Sequence, residues 1–393
     1  MFARVARSNA CTHSSGASIY LLKGVRYKSL SAVGLKKGRK VKEPASAPED
    51  GQLPPLEEWK DKFYYHGVAK KPTLHSLATA RQLVKGFGIA DTTTPKIVLE
   101  AFAGPGTLSR ALCELPPSKL SKLIILEDNP LYLPYLESLA KIDKRVVVRP
   151  YNAWFWDSYT KITEEGLFND VQIQEWDNSR QQAHPPHPQL HFIASTLPLG
   201  DAGETLFNQM FRAVATREWL FKYGAMPFSA VMPHTFWKRA VAAPGDKWRC
   251  KLSVMVDATT EAKPALDLNK LIVWAKHFYP PQHKHDDYMV AANFNPLGYQ
   301  ALRVSGVEEW DYVLRALFIN KTKPISQTLK NMAPGAQNLV KYMDPQKAHL
   351  LDRSAIHLTA ADWAVVMQAF LDWPFHPSGD ELHESIKTND KRI

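Results

Sequence analysis

Two acidic residues and two glycines form the clearest candidate for a chemical site in this sequence. Glu100 closes the apolar run over residues 96–99, and Gly104 and Gly106 follow it in a short turn. Such a turn aims backbone amides and the positive end of the next helix at a ligand. Glu127 lies about 20 residues further on, where a carboxylate accepts hydrogen bonds from a ribose. The spacing predicts a nucleotide-type site, and a purely structural glycine turn is the alternative.

The apolar runs and the helix-length segments between them predict a doubly wound α/β sheet. Strands are predicted over residues 96–99, 123–126, 145–148, 191–194, 229–232, 251–256 and 271–275. Helices are predicted to start at Thr107 and to cover residues 73–88, 131–141 and 204–216. Ligands of such sheets bind beyond the carboxyl ends of the strands, so we expect convergence there of Ala103 to Gly106, Glu127, Asn152 and Ser195 to Leu199.

The net charge of +10 comes from the N-terminal region. Residues 1–42 contain ten basic side chains and no acidic one, and the remaining 39 Lys and Arg equal the 39 Asp and Glu in number. The body of the protein is therefore neutral, and any affinity for nucleic acid must come from local patches. Residues 1–43 have the composition of a mitochondrial transit peptide, with cleavage near Arg26 and Tyr27. A basic arm that binds nucleic acid is the alternative.

The rest of the chain divides into four predicted parts. Residues 44–56 form a proline-rich linker, and residues 57–300 form the α/β domain with a polar insertion over 164–190. Residues 301–375 form a small helical domain with helices over 310–319, 325–332, 336–343 and 360–371, the last beginning at a capping box of Thr359 and Asp362. Residues 376–393 form a flexible tail. No run of about 18 apolar residues predicts a membrane span.

Neither a disulfide framework nor a metal site is predicted. The three cysteines, Cys11, Cys113 and Cys250, are widely spaced. His184 and His187 flank two prolines without an accompanying cysteine or acidic cluster, so we expect no metal there.

The ordered motifs resemble those of the rRNA adenine N6-dimethyltransferase superfamily, and within it the mitochondrial transcription factor B branch, which includes the fungal mitochondrial RNA polymerase specificity factor. The resemblance spans about residues 73–375. It rests on the glycine turn, on Leu126-Glu-Asp-Asn-Pro-Leu-Tyr132, on Glu218-Trp-Leu-Phe-Lys-Tyr-Gly224, on Met232-Pro-His with Ala243-Pro-Gly245 and Cys250-Lys-Leu-Ser-Val254, and on the segment from Leu314 to Lys323. It implies a class I methyltransferase-like fold and an S-adenosylmethionine site formed by Leu77, Glu100, Gly104, Gly106, Glu127, Asn152 and Ser195.

Several positions depart from the pattern of methylating members of the superfamily. Those members carry Asn-Leu-Pro-Tyr after the fourth strand, whereas this chain has Ser195-Thr-Leu-Pro-Leu199. Leucine offers no π-face to a flipped base, a contact worth about 1–3 kcal/mol. Phe102 replaces a glycine, Asn152 replaces an acid, and Gly298 replaces a proline of the element around Phe294. We therefore expect a vestigial S-adenosylmethionine site, and the sequence assigns no catalytic residue.

The leading hypothesis is a mitochondrial matrix transcription initiation factor that acts as a monomer. The resemblance implies that it binds the mitochondrial RNA polymerase and promoter DNA, confers promoter recognition and helps to melt the promoter. Expected contacts to the single-stranded bubble are Trp154, Trp156, Trp237, Lys238, Arg239, Lys321 and Lys323. Core packing is the alternative for the tryptophans, and a solvated helix end is the alternative for the last two lysines.

Two other functions remain open. The first is an S-adenosylmethionine-dependent mitochondrial rRNA adenine N6-dimethyltransferase, in which Ser195 or Thr196 and Phe294 hold the adenine. The second is a cofactor-free rRNA-binding assembly factor that uses the same groove without chemistry.

Overall fold

The structure, a computed structural model, describes residues 49–65, 67–177, 184–281, 288–298 and 306–377. The predicted transit peptide with its cleavage point, most of the predicted tail, and parts of the predicted linker and insertion lie outside the described residues. Among the helices of the described ranges, none has both the length and the apolar character that a membrane span requires.

The main sheet has seven strands in the order β4-β3-β2-β5-β6-β9-β7. Its first five strands run parallel, and β9 lies antiparallel between β6 and β7. Two short strands, β1 and β8, pair antiparallel beside it. The nine strands of the described chain are β1 Thr73–Leu74, β2 Lys96–Ala101, β3 Leu120–Leu126, β4 Val146–Arg149, β5 Leu190–Ala194, β6 Phe228–Pro233, β7 Thr260–Pro264, β8 Phe278–Tyr279 and β9 Met289–Pro296. The predicted α/β, methyltransferase-like fold class is confirmed.

Helices cover both faces of this sheet. The α-helices of the described residues are α1 Trp59–Lys62, α2 Leu77–Gly86, α3 Thr107–Cys113, α4 Leu133–Ile142, α5 Trp156–Glu164, α6 Asp201–Thr216, α7 His234–Ala240, α8 Lys251–Thr259, α9 Val307–Phe318, α10 Ile325–Thr328 and α11 Ala360–Asp372. Every residue of β2 and β5 is buried, since helices lie on both sides. This explains why these strands appear in the sequence as continuous apolar runs without alternation.

The register brings the ends of the central strands to one edge. Glu100 of β2 pairs with Ile125 of β3 on one side and with Ile193 of β5 on the other. The three strands therefore end level with one another, and the loops that follow them meet, as the sequence predicted.

Two predicted strands are wrong. Residues 251–256 belong to α8, in which Leu252, Val254, Met255 and Val256 are all buried. A helix that is buried on every side shows no helical period in its sequence and resembles a buried strand. Residues 271–275 instead form a turn that leads into a short 3₁₀ helix, with Ile272 and Val273 exposed to solvent. The strands β7 and β9 were not predicted; β7 is short, polar and partly exposed.

The helical segment after residue 306 packs on the sheet domain through a buried ionic cluster. Asp311 of α9 is almost fully buried and forms ion pairs with Lys251 of α8, with Arg315 at 2.6 Å and with Arg212 of α6 at 3.6 Å. The helix predicted over 325–332 is the short α10 followed by a 3₁₀ turn over Leu329–Asn331, and the helix predicted over 336–343 is a 3₁₀ helix over Ala336–Tyr342. The predicted capping box of α11 is confirmed, with reciprocal hydrogen bonds between Thr359 and Asp362 at 3.1 and 3.0 Å.

An N-terminal segment forms a separate aromatic cluster beside the sheet. Trp59 and Phe63 of this segment pack edge-on against each other, and Phe63 also meets Tyr132 and Tyr135 near α4. Trp59 contacts Tyr279 of β8. These contacts fix the chain just before β1 next to the edge where the loops meet.

Candidate functional site

The turn after β2 has the backbone of a glycine-rich loop. Gly104 and Gly106 have φ values of +58° and +90°. A Cβ on Gly104 would lie 2.5 Å from Thr73 Cγ2, and a Cβ on Gly106 would lie 2.5 Å from Leu136 Cδ2. Phe102 also has a positive φ, +56°, which is costly for a residue with a side chain. The backbone at Phe102 thus has the conformation that suits a glycine.

Glu127 lies at the end of β3 and is held by backbone amides. One carboxylate oxygen accepts hydrogen bonds from the amides of Asp128 at 3.1 Å and Asn129 at 3.0 Å, and the other accepts from Gly104 at 3.0 Å. Burial raises the pKa of Glu127 to about 7, against the lowering effect of the amides of Asn129 and Gly104. The carboxylate therefore links the β2 and β3 loops, and the oxygen that accepts from Gly104 retains one further acceptor position.

Glu100 points into the protein and not toward the cleft. Its carboxyl group is fully buried and accepts hydrogen bonds from the hydroxyls of Ser109, at 2.7 Å, and Ser195. Burial raises the pKa of Glu100 to about 7, although both hydroxyls oppose this rise. Glu100 is thus an internal brace between β2, α3 and β5.

The stretch after β5 is closed by backbone hydrogen bonds. Ser195 N–H donates to Ala101 at 3.0 Å, Leu197 N–H to Val231 at 2.8 Å and Leu199 N–H to Lys70 at 2.8 Å. Ser195 and Thr196 are both buried. Neither hydroxyl lies on the exposed surface of the edge, where an adenine amino group would have to be held.

The amide of Asn152 already has partners on both sides. Its Nδ2 donates to Asp128 at 2.8 Å, and its Oδ1 accepts from the amide of Trp154 at 2.9 Å. Asn152 therefore orders the loop after β4 against the loop after β3. Leu77, at the start of α2, packs on the same buried cluster as Ala103.

Phe294 lies in the hydrophobic core, away from the cleft. Its ring stacks on Phe228 with centroids 5.2 Å apart and meets Phe207 and Phe211 edge-on. It is fully buried. Contact of Phe294 with a flipped adenine, as the resemblance implies, would require this core to open.

The segment before β1 covers the edge, which the sequence did not predict. Lys70 accepts the hydrogen bond from Leu199, and Thr73 lies against Gly104. Burial, followed by the nearby Glu127, raises the pKa of Tyr65. The Lys71 ammonium acts in the opposite direction on Glu127 and lowers its pKa. No sequence signal connects these residues to the glycine turn, since the contact depends on the pairing of β1 with β8.

Two buried hydroxyls flank the glycine turn without partners. Thr73 Oγ1 and Thr107 Oγ1 have no hydrogen-bond partner in the described part of the chain. Buried polar groups are normally satisfied, so these two hydroxyls are positioned to bind a polar ligand. Together with Glu127, they fit the ribose and polar groups of a nucleoside-type cofactor. Asn152, whose amide already has two partners, and Phe102, which replaces a glycine, fit such a cofactor less well.

The tryptophans predicted to contact the single strand are mostly packed against the protein core. Trp237 is buried against Phe294, and Trp156 donates from Nε1 to Gln209 at 2.5 Å while packing edge-on against Trp219. Trp154 is partly buried against the main core. The neighbouring Phe155 is 40% exposed and presents the accessible ring of this loop.

The four predicted cations have different environments. Arg239 pairs with Glu204 at 2.5 Å, and Lys321 donates to the carbonyls of Lys247 at 2.7 Å and Arg249 at 3.1 Å. Lys238 and Lys323 are exposed. Within the described ranges no cluster of His, Cys, Asp or Glu has the arrangement of a metal site.

Residues 74–361 match the family model described as ribosomal RNA adenine dimethylase. The chain is 24% identical to mitochondrial transcription factor 1 of Saccharomyces cerevisiae over 58% of its own length and 66% of that protein, a little under two thirds. It is 22% identical to dimethyladenosine transferase 1, mitochondrial, of Vermamoeba vermiformis over 83% of its length and 97% of that protein. Its fold is similar to a crystal structure of a dimethyladenosine transferase from Plasmodium falciparum, with a TM-score of 0.51, 14% identity and coverage of 77% and 97%.

Proposed function

The chain belongs to the ribosomal RNA adenine dimethylase family, and from this premise we propose that it is a mitochondrial transcription initiation factor without methyltransferase activity. The predicted mitochondrial localisation is confirmed by the relatives, which are named as mitochondrial proteins. The proposed partners are the mitochondrial RNA polymerase and the single-stranded bubble of promoter DNA. The name of the Saccharomyces cerevisiae relative supports this role.

One observation carries the proposal. The resemblance places Ser195 or Thr196 where methylating members have an asparagine. The Ser195 hydroxyl is committed to the buried carboxyl group of Glu100, and Thr196 is buried as well. The adenine amino group needs an acceptor at this position that reaches into the cleft. Leu199 supplies no aromatic ring four residues later. The edge therefore lacks both the acceptor and the stacking surface that base methylation uses.

The test is run-off transcription from a linear mitochondrial promoter by the matching RNA polymerase, with and without the protein. We expect accurate initiation only when both proteins are present. Equal and equally accurate initiation by the polymerase alone would refute the proposal. A premelted promoter serves as control, since a melting factor should be less necessary on DNA that is already open.

A second candidate function is methylation of mitochondrial rRNA, which Glu127 and the two unpartnered hydroxyls favour. If S-adenosylmethionine binds, Glu127 would hold its ribose, while Thr73 and Thr107 would meet its polar groups; the cofactor would supply the methyl group. We propose that this site is vestigial. Calorimetric titration with S-adenosylmethionine and label transfer to an unmodified small-subunit rRNA hairpin test this point. Robust transfer that is lost in Glu127→Ala would reverse the ranking of the two functions.

A further inference from the structure

An exposed tryptophan lies between two lysines on the loop that precedes α8. Trp248 is 37% exposed, and the ammonium groups of Lys238 and Lys247 lie 5.6 and 6.0 Å from its ring centroid. Both lysines are exposed. An aromatic face beside cations can stack on a base while the cations meet the flanking phosphates.

The backbone around this ring is firmly held. Trp248 N–H donates to Asp246 at 2.8 Å, which closes a local turn. The next residue, Arg249, is fully buried; it pairs with Asp257 at 2.5 Å and donates to the carbonyls of Ala242 and Leu358 at 2.7 and 3.1 Å. The ring therefore extends from an anchored loop and can serve as a preorganised surface.

A polar pocket lies on the adjoining segment. It has a volume of about 320 Å³ and is lined by Thr322, Pro324, Asp352, Arg353, Ser354 and His357. Arg353 pairs with Asp362 at 3.5 Å and donates from its other terminal nitrogen to the carbonyl of His357 at 2.7 Å. His357 Nδ1 lies 2.7 Å from Ser354 Oγ. A guanidinium, an imidazole and hydroxyls around an open pocket match the chemistry of phosphate recognition.

Hydrogen bonds join the loop and the pocket into one surface. Gly245 N–H donates to Ile356 at 2.7 Å, and Ile356 N–H donates to Lys321 at 3.2 Å. Lys321 in turn binds the carbonyls of Lys247 and Arg249. We name this surface the Trp248 patch: Lys238, Lys247, Trp248, Lys323, Arg353 and His357.

We propose that the Trp248 patch binds single-stranded nucleic acid, with one base stacked on Trp248 and neighbouring phosphates at Lys238, Lys247 and the Arg353 pocket. This inference rests on the proposed function, which requires a site for melted DNA. It assigns that site to a surface that shares only Lys238 and Lys323 with the expected set. Asp246 accepts a hydrogen bond within its own loop, whereas Asp352 lines the pocket and Asp362 pairs with Arg353. The phosphate contacts at Lys238 and Lys247 therefore face less competition from carboxylates than the contact at the Arg353 pocket. A lone aromatic between cations reads no base edge, so the binding has no sequence preference.

The test measures binding of a fluorescein-labelled 12-nucleotide oligo(dT) to the purified chain by anisotropy. We expect Trp248→Ala to weaken binding on the order of 5- to 150-fold, the equivalent of one lost stacking contact. Trp248→Phe keeps a ring and should retain most of the affinity. The matched control is Tyr64→Ala, which removes a ring that is 63% exposed elsewhere on the chain. The double variant Lys238→Ala with Lys247→Ala should make the plot of log affinity against log salt concentration less steep, by about one released counterion per lost phosphate contact.

Binding by Trp248→Ala within twofold of the parent, or an equal loss in Tyr64→Ala, would overturn the inference. Oligo(rU) in a parallel arm distinguishes RNA from DNA as the strand, and weakening of either by Trp248→Ala supports the patch. If Trp248→Ala abolishes run-off transcription but binds oligo(dT) normally, the patch faces a protein and the inference fails. If the parent binds oligo(dT) through Trp248 but never stimulates transcription, the proposed function fails while the patch stands.

Discussion

The hydroxyl of Ser195 at the end of β5 donates a hydrogen bond to the buried carboxyl group of Glu100 at the end of β2. The second oxygen of this carboxyl group is held by Ser109 of α3. The bond ties two neighbouring strands together at the edge where the loops after the strands meet. It turns the Ser195 side chain inward and leaves Glu100 to titrate near neutral pH.

The stability of the protein should fall as the pH rises through the titration of Glu100. Because burial raises the pKa of Glu100 from 4.5 to about 7, the folded state retains a proton that the unfolded state has lost. The stabilisation is complete below pH 4.5 and is lost as the pH passes 7. Between pH 5 and pH 8 the free energy of unfolding should decrease by about 2 to 3 kcal/mol more in the parent than in Glu100→Gln.

Urea unfolding at the two pH values measures this difference. Glu114→Gln is the control, because Glu114 is an exposed carboxylate paired with Arg81 and its pKa is lowered by the Arg81 hydrogen bond. The control should keep the parent's decrease between pH 5 and pH 8. Identical decreases in the parent and in Glu100→Gln would contradict the assignment of Glu100 as a buried, protonated group.

Because Phe102 has a positive φ, a glycine at this position should make the protein more stable than an alanine does, the reverse of the usual order. At ordinary positions glycine is less stable than alanine by about 0.5–1 kcal/mol, since it loses more backbone freedom on folding. At φ +56° the left-handed conformation costs a residue with a Cβ about 1–2 kcal/mol. We therefore expect Phe102→Gly to be more stable than Phe102→Ala in thermal or urea unfolding. Higher stability of the alanine variant would show that the loop relaxes away from this conformation.

The contact of Thr73 with Gly104 should make Gly104→Ala more costly than Gly88→Ala. Both glycines have positive φ, +58° and +73°, so the backbone penalty is matched. A Cβ on Gly88 meets nothing within 4 Å, whereas a Cβ on Gly104 meets Thr73 Cγ2 at 2.5 Å. The additional loss of stability should be about 1–3 kcal/mol.

The double variant Gly104→Ala with Thr73→Ser removes the shortest contact, because serine lacks the Cγ2 methyl group, although the residue-73 Cβ at 2.9 Å remains. It should regain part of the stability that Gly104→Ala loses, as measured by denaturant midpoints. Equal stability of Gly104→Ala and Gly88→Ala would mean that Thr73 of β1 does not lie against the glycine turn in solution.

Neutralising Asp311 should loosen the helical segment from the sheet domain. Burial raises the pKa of Asp311, but Lys251 and Arg212 lower it more, so the net shift is downward. Asp311→Asn leaves Lys251 without its charge partner and should cost about 3–5 kcal/mol. The folded pKa of Asp311 is depressed, so its stabilisation is present above the unfolded pKa and is lost as the pH falls below it.

Glu308→Gln is the matched control on the same helix. Glu308 pairs with Arg212 at 2.5 Å but is partly exposed, and such pairs contribute about 0–1 kcal/mol. The melting temperature of Asp311→Asn should therefore lie clearly below that of Glu308→Gln. Similar melting temperatures would show that solvent reaches the cluster and screens it.

The sequence was sufficient for the fold because the central strands are covered on both faces. Full burial of β2 and β5, and of β3 from Leu123 onward, favours apolar runs, and the glycines at 104 and 106 mark where the chain must turn. The same reasoning failed at α8, where burial on every side removed the helical period. Local sequence records how much of an element is buried, but it does not record which elements bury it.

The roles of the site residues depended on contacts between distant parts of the chain. Glu100 and Ser195 are 95 positions apart, and only the pairing of β2 with β5 shows that they bind each other and not a ligand. The Trp248 patch likewise exists only because Gly245, Lys321 and Ile356 are joined by hydrogen bonds. Residue types limit the possible chemistry, and the packing of remote segments decides which side chains solvent and ligands can reach.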